Sequence, residues 1–230
     1  MLKNPFSCLN KRDWLVWGIS ITVVAFSILL SPDVSLTTLL ASLIGVTALI
    51  FLARGDVLGQ FSSMVFALLY AITSLSFRYY GEAITYMFMT FPSALFSALS
   101  WLKHPYKDNA NEVEIHRLSR LQRALLAPSA ALATIVFFFV LRALNTPNLL
   151  FSTLSILTSF VASYLTFFRS PYYAVAYSFN DIVLIILWVL ASIQNPSYVP
   201  MILCFVMFLV NDIYGFISWK IREKRQTEQK

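Results

Sequence analysis

Eight long apolar stretches, separated mostly by gaps of a few residues, constrain this chain more than any other feature. They cover residues 14–30, 36–53, 57–77, 83–102, 121–141, 149–168, 172–193 and 198–219. Each is close to the ~20 residues that an α-helix needs to cross the hydrocarbon of a bilayer. Most gaps are rich in turn formers, as in Ser31-Pro32-Asp33, Arg54-Gly55-Asp56, Asn145-Thr146-Pro147-Asn148 and Gln194-Asn195-Pro196. One connection, residues 103–120, is long and polar. The chain is 58% apolar and 12% charged, about half the ~25% charge of a soluble domain. A chain of 230 residues cannot bury that much apolar surface in one core. Lys11 and Arg12 before the first stretch resemble the start of a secretory signal, but no small-residue cleavage site follows. The segment therefore reads as a first transmembrane helix.

Charge placement tests the count. When the loops alternate between two sides, one side collects 15 basic residues and the other only Arg78 and Arg142. The positive-inside rule makes the basic side cytoplasmic, with both termini on it. The formal net charge of +6 is thus topological, and no nucleic-acid partner is expected. Cys8 and Cys204 form neither a disulfide framework nor a metal spacing. The two histidines, His104 and His116, lie in the polar loop. Phosphate-loop, zinc-protease and nucleophile-elbow motifs are missing, so neither an ATP-driven pump, an enzyme nor a resident cofactor is expected. Residues 107–119, with Val113, Ile115 and Leu118, read as a solvated connector with a short surface helix.

The chain also carries a duplication. Ser100-Trp101 closes the fourth stretch and Ser218-Trp219 the eighth, 118 residues apart. Arg54 follows the second and Arg169 the sixth, 115 residues apart. The expected architecture is an all-α membrane protein: one leading helix, then a 3+1+3 core of two parallel triplets joined by a linker helix. The segments are residues 1–35 (tail and extra helix), 36–102 (first triplet), 103–148 (loop and linker helix), 149–219 (second triplet) and 220–230 (basic tail). Parallel repeats are a transporter design, with substrate held near mid-membrane between them.

Polar residues inside spans are costly and tend to have a use. Tyr177, Asp181, Leu184 and Trp188 share one helical face, with Asn180 at its edge, and Asn211, Tyr214 and Ser218 share another. Gln60, Ser63, Tyr70 and Ser74 form a stripe on the third span, and Glu82, Tyr86, Ser93 and Ser97 on the fourth. Amides, hydroxyls and flat rings suit a polar ligand with an aromatic ring or a sugar, and a cationic ring adds cation–π attraction. Packing is the competing reading for the serines, and interfacial anchoring for Trp14, Trp17, Trp101 and Trp219. Asp181 and Asp212 could hold a coupling proton or sodium ion, or pair with backbone or tyrosine hydroxyls; the second reading is preferred. A receptor or scaffold with no transport is the alternative class.

Tyr80-Gly81-Glu82, Asn180 with Trp188 eight residues on, and Asn211-Asp212-Ile213-Tyr214-Gly215-Phe216-Ile217-Ser218-Trp219 resemble the bacterial nicotinamide riboside transporters, the PnuC family. The resemblance runs from about residue 40 to 220. That family is related in fold to the SWEET sugar transporters. The resemblance implies facilitated uptake of nicotinamide riboside, a precursor of NAD, across the inner membrane, with a cytoplasmic kinase trapping it. It also implies a homotrimer. By motif, Asn180, Trp188, Asn211 and Tyr214 are expected at the substrate, with Tyr177, Gln60, Tyr80 and Glu82 beside them. Trp188 would stack on the pyridinium ring while the asparagines bond the carboxamide or ribose. Related members carry thiamine or other vitamins, so the substrate stays open among these, as does proton coupling through Asp181 or Asp212.

Overall fold

The computed structural model describes residues 5–29, 36–76, 79–107 and 109–229. Lys3, Arg78, Lys230 and the expected turn at Ser31-Pro32-Asp33 lie outside them. The described chain forms eight helices: α1 (Lys11–Leu29), α2 (Leu36–Arg54), α3 (Leu58–Ser76), α4 (Tyr80–Leu102), α5 (Arg120–Ala143), α6 (Leu149–Phe167), α7 (Tyr173–Gln194) and α8 (Val199–Glu228). Seven of them, α2 to α8, are long and apolar enough to cross a membrane. In hydrocarbon each backbone amide must be satisfied within its own segment, and a continuous helix does that. Helix α1 opens on Lys11-Arg12-Asp13 and packs along α2 and α8. It is tied there by Trp17 Nε1 donating to Thr47 Oγ1 at 3.0 Å.

Two tight turns show why neighbouring helices double back without a loop. After α2, Gly55 takes φ +69°, its N–H reaches the Leu52 carbonyl at 2.9 Å, and the Asp56 N–H reaches the Phe51 carbonyl at 3.0 Å. This left-handed cap satisfies carbonyls that the helix end would orphan. The turn after α6 has the same pattern: Arg169 takes φ 55°, with Arg169 N–H on Thr166 and Ser170 N–H on Leu165 at 3.0 and 2.9 Å. Arginine is an unfavourable residue there. Its guanidinium explains its presence, donating to Ser100 Oγ at 2.9 Å and the Glu114 carbonyl at 3.1 Å.

The Ser-Trp pairs make a reciprocal contact. At the end of α4, Ser100 Oγ donates to the Phe167 carbonyl and Trp101 Nε1 to the Thr166 carbonyl of α6, at 2.9 and 3.0 Å. At the end of α8, Ser218 Oγ donates to the Ala53 carbonyl and Trp219 Nε1 to the Leu52 carbonyl of α2, both at 2.8 Å. The indoles of Trp101 and Trp219 meet at 5.5 Å between ring centres. All four bonds lie at the end of the bundle that carries Arg54 and Arg169. Trp101 and Trp219 are thus buried hydrogen-bonded clamps and not interfacial anchors.

Three expectations at the periphery need correction. The connector forms a two-stranded antiparallel hairpin, β1 (Pro105–Tyr106) and β2 (Asn109–Val113), pairing Pro105 with Val113 and Tyr106 with Asn109. Among the described residues no surface helix forms there, and Val113 is drawn into the core beside Trp101 and Trp219. Helix α8 also runs well past the expected end at Trp219. Its extension is fixed to the hairpin by Glu112, which pairs with Arg222 at 3.2 Å and with Arg225, and by Gln226, which donates to Glu112 at 3.0 Å. Helix α4 begins at Tyr80 and passes through a π-helical stretch, Tyr86–Thr90, just before Pro92. Helix α5 buries little: of its described residues only Ala130 and Leu141 are fully covered.

Candidate substrate-binding cavity

A cavity of about 70 Å³ lies between the helices, and its lining comes from α2, α3, α4, α6, α7 and α8, with none from α1 or α5. Its apolar wall is Gly45, Leu49, Phe66, Phe205 and Phe208, with the phenol rings of Tyr86 and Tyr177. Its polar wall is Gln60, Ser63 and Thr90 on one side and Ser159, Ser163, Asn180, Asp181 and Asp212 on the other. The helix periodicity accounts for this. Ser155, Ser159 and Ser163 stand four residues apart on α6, so a stripe of hydroxyls faces inward along an otherwise apolar helix. The π-helical stretch places Tyr86 and Thr90, the first and last of its residues, on the same wall. Gly45 is small because it must be: a Cβ there would stand 2.4 Å from the ring of Phe208.

Hydrogen bonding separates the satisfied groups from the free ones. The Asn180 side-chain carbonyl accepts from Thr158 Oγ1 at 2.8 Å and Ser159 Oγ at 2.9 Å. This leaves its amide N–H₂ pointing its donors elsewhere. Gln60 is 2% exposed and its Nε2 has no partner. Asp181 and Asp212, each 3% exposed, lie within hydrogen-bonding reach of one another, and Asp181 Oδ2 has no partner. A buried donor or carboxylate oxygen left unpaired costs about 1–3 kcal/mol or more, and such groups on a cavity wall are the ones a ligand can satisfy. The two carboxyls thus stand beside one another on the cavity wall.

The other sequence candidates are placed as follows. Tyr177 lines the cavity, its hydroxyl 3.4 Å from Ser163 Oγ. Trp188 lies one layer back, fully buried, its Nε1 donating to the Tyr70 hydroxyl at 3.0 Å; Tyr70 in turn packs on Tyr86 at 4.1 Å. Asn211 faces α1, where its Nδ2 donates to Ser20 Oγ at 2.7 Å. Tyr214 points toward the basic end and donates to Asp13 at 2.5 Å. Tyr80 is 47% exposed on the outer surface. Glu82 is buried near α6, with Ser155 Oγ 3.5 Å from its carboxylate. Gly81 packs so tightly that a Cβ would meet Leu141 and Thr146 at 2.6 Å. Sequence reasoning missed Phe66, Phe208 and the α6 hydroxyls; the four-residue serine spacing was the signal that could have found the latter.

The comparisons with known proteins agree with this architecture. The family described as "Nicotinamide mononucleotide transporter" matches residues 35–221. A curated relative, the nicotinamide riboside transporter PnuC of Neisseria mucosa, is 26% identical over 220 residues, covering 94% of this chain and 82% of its own length. A solved structure, the crystal structure of the vitamin B3 transporter PnuC, superposes with a TM-score of 0.81 at 24% identity, covering 95% of this chain and 94% of that one. The match takes in α2 to α7 whole and most of α8, the helices that build the cavity. The chain is a multi-pass membrane protein of a transporter family and not an enzyme: it belongs to the nicotinamide mononucleotide transporter family, that of the PnuC proteins.

Proposed function

We propose that this chain carries nicotinamide riboside across the bacterial inner membrane by facilitated diffusion. The observation that carries the reading is the shared lining of one cavity by a flat aromatic wall, an unpartnered amide on Gln60 and a carboxyl pair with an unpartnered oxygen on Asp181. Nicotinamide riboside presents a positively charged pyridinium, a carboxamide and ribose hydroxyls. The Asp181 and Asp212 carboxyls on the cavity wall are the complement of that ring. Tyr86, Tyr177 and Phe208 offer faces for stacking and cation–π contact. Gln60 and the Asn180 amide suit the carboxamide or ribose. Trp188 acts from behind, fixing Tyr70 against Tyr86. The name of the Neisseria mucosa relative supports the substrate.

Alternating access is the mechanism that fits a cavity this small. Small-molecule sites run from ~300 Å³ upward, so the walls must part to admit a nucleoside. The reciprocal Ser-Trp clamps and the matched turns at Gly55 and Arg169 support two parallel triplets, α2–α4 and α6–α8, with α5 as linker and α1 as an eighth span. The 15-to-2 split of basic residues supports a cytoplasmic clamp end and cytoplasmic termini. Phosphorylation of the riboside there would add negative charge that the acidic pair rejects, trapping the product. The exposed apolar face of α5 suits lipid or neighbouring copies in a homotrimer.

The test is calorimetric titration of the purified protein with nicotinamide riboside, thiamine and riboflavin. Nicotinamide riboside is expected to bind, and Asp181→Asn and Gln60→Leu to weaken it about tenfold or more, the weight of one lost hydrogen bond to a charged or buried group. Thiamine also carries a cationic ring. Binding of thiamine without the riboside would keep the fold and overturn the substrate. No binding of any of the three would return the receptor or scaffold reading.

A further inference from the structure

A second pocket, of about 170 Å³, lies at the basic end of the bundle, outside the cavity described above. Arg12 from α1, Arg54 from α2, and Arg222 and Arg225 from α8 converge on it. Against these four guanidiniums stand two carboxylates. Asp13 is turned fully inward, 3.5 Å from Arg54 and bonded to Tyr214. Glu112 is shared by Arg222 and Arg225. Four positive against two negative charges leave the pocket at +2. The buried Arg54 Nε has no hydrogen-bond partner, and Arg12 takes part in no ion pair among the described residues. Positive-inside topology alone scatters basic residues along loops; it does not aim four of them from three helices into one concavity.

The pocket has an apolar exit. Ile217 and Ile221 line it, and with Ile213 they form an exposed stripe four residues apart on α8, at 51%, 52% and 61% exposure in chain order. We propose that this pocket binds the phosphate headgroup of an anionic phospholipid, with an acyl chain running along the isoleucine stripe. A phosphate ester supplies acceptors for Arg54 Nε and for Arg12, and Arg is the side chain best matched to phosphate. Basic pockets between transmembrane helices on one side of a membrane protein are suited to such headgroups. The isoleucine stripe selects a lipid over free phosphate, which would use the arginines alone. Occupancy would tie the start of α1 to the ends of α2 and α8.

The test uses the full chain in nanodiscs of phosphatidylcholine doped with phosphatidylglycerol, with retained lipid counted by native mass spectrometry. The wild type is expected to retain phosphatidylglycerol over phosphatidylcholine. Arg12→Gln should weaken retention about fivefold, with Arg12→Lys restoring most of it. Ile217→Ser with Ile221→Ser, both exposed positions, should weaken it too. Equal retention of both lipids, or retention unchanged by Arg12→Gln, would overturn the site. Displacement of phosphatidylglycerol by excess inorganic phosphate, with the isoleucine variant unaffected, would overturn the lipid as its occupant.

Discussion

Replacing Trp219 by Phe removes one clamp while keeping an aromatic ring in place. The substitution removes the Nε1–H that reaches the Leu52 carbonyl at 2.8 Å and keeps most of the ring contact with Tyr173 at 4.9 Å and Trp101 at 5.5 Å. The Leu52 carbonyl keeps the Gly55 N–H at 2.9 Å, so the loss is one hydrogen bond and not an orphaned acceptor. One such hydrogen bond is worth about 0.5–1.5 kcal/mol. For a chain of this length each kcal/mol lowers Tm by ~2–4 °C, which places the shift from the bond alone between about 1 and 6 °C, and the space left by the smaller ring adds to it. Trp101→Phe removes the matching bond to Thr166 at 3.0 Å and should shift Tm by a similar amount. The assay is thermal loss of the monodisperse size-exclusion peak in detergent. Because the two indoles touch, the double variant should fall short of the sum of the single shifts. A full shift in one variant with none in the other would refute the idea that the two clamps are equivalent.

Other outcomes follow from single contacts. Gly59→Ala would place a Cβ 2.6 Å from the Leu52 backbone nitrogen, so α2 and α3 must separate; about 1–3 kcal/mol of stability or more should be lost, read as poor yield of folded protein. Gly55→Ala should cost about 1–2 kcal/mol because φ there is +69°, whereas the same change at Gly18, with open space around it, should cost nothing measurable in the same melting assay. Glu112→Gln should release the end of α8, seen as amide exchange at least about tenfold faster across residues 222–228, with riboside binding unchanged. Trp188→Phe, which keeps a ring but loses the bond to Tyr70, should lower stability by about 1 kcal/mol; affinity for the riboside should stay within about threefold if it acts from behind Tyr86.

The spans were legible because each needs about the same number of apolar residues, and the turns because Pro, Gly and Asn punctuate them. The side chains facing the cavity were harder. Asn180 and Asn211 look alike in sequence, each beside an aspartate, yet one lines the cavity and the other bonds Ser20 on α1. Only the angular position of each helix decides that, and a uniformly apolar helix gives little signal for its rotation. The hairpin at residues 105–113 was missed for another reason. Its strands are short, and Glu112 is buried by partners more than a hundred residues away, which no local pattern announces. The terminal motif Asn-Asp-Ile-Tyr-Gly-Phe-Ile-Ser-Trp proved mixed: Asp212 faces the cavity, while Ser218 and Trp219 fasten the helix to α2.

The reciprocal clamps also set an order of events during biogenesis. Helices enter the membrane from the N-terminus onward, so α2 emerges with its Leu52 and Ala53 carbonyls still short of the side-chain donors that lie 165 to 167 residues downstream. Ser100 and Trp101 likewise wait 65 to 67 residues, until α6 arrives. Neither α2 nor α4 can complete its own end, so each is unfinished for as long as the ribosome is still making its partner helix. Closure therefore belongs to the last helix, and a chain truncated before Ser218 lacks both donors that fasten α8 to α2.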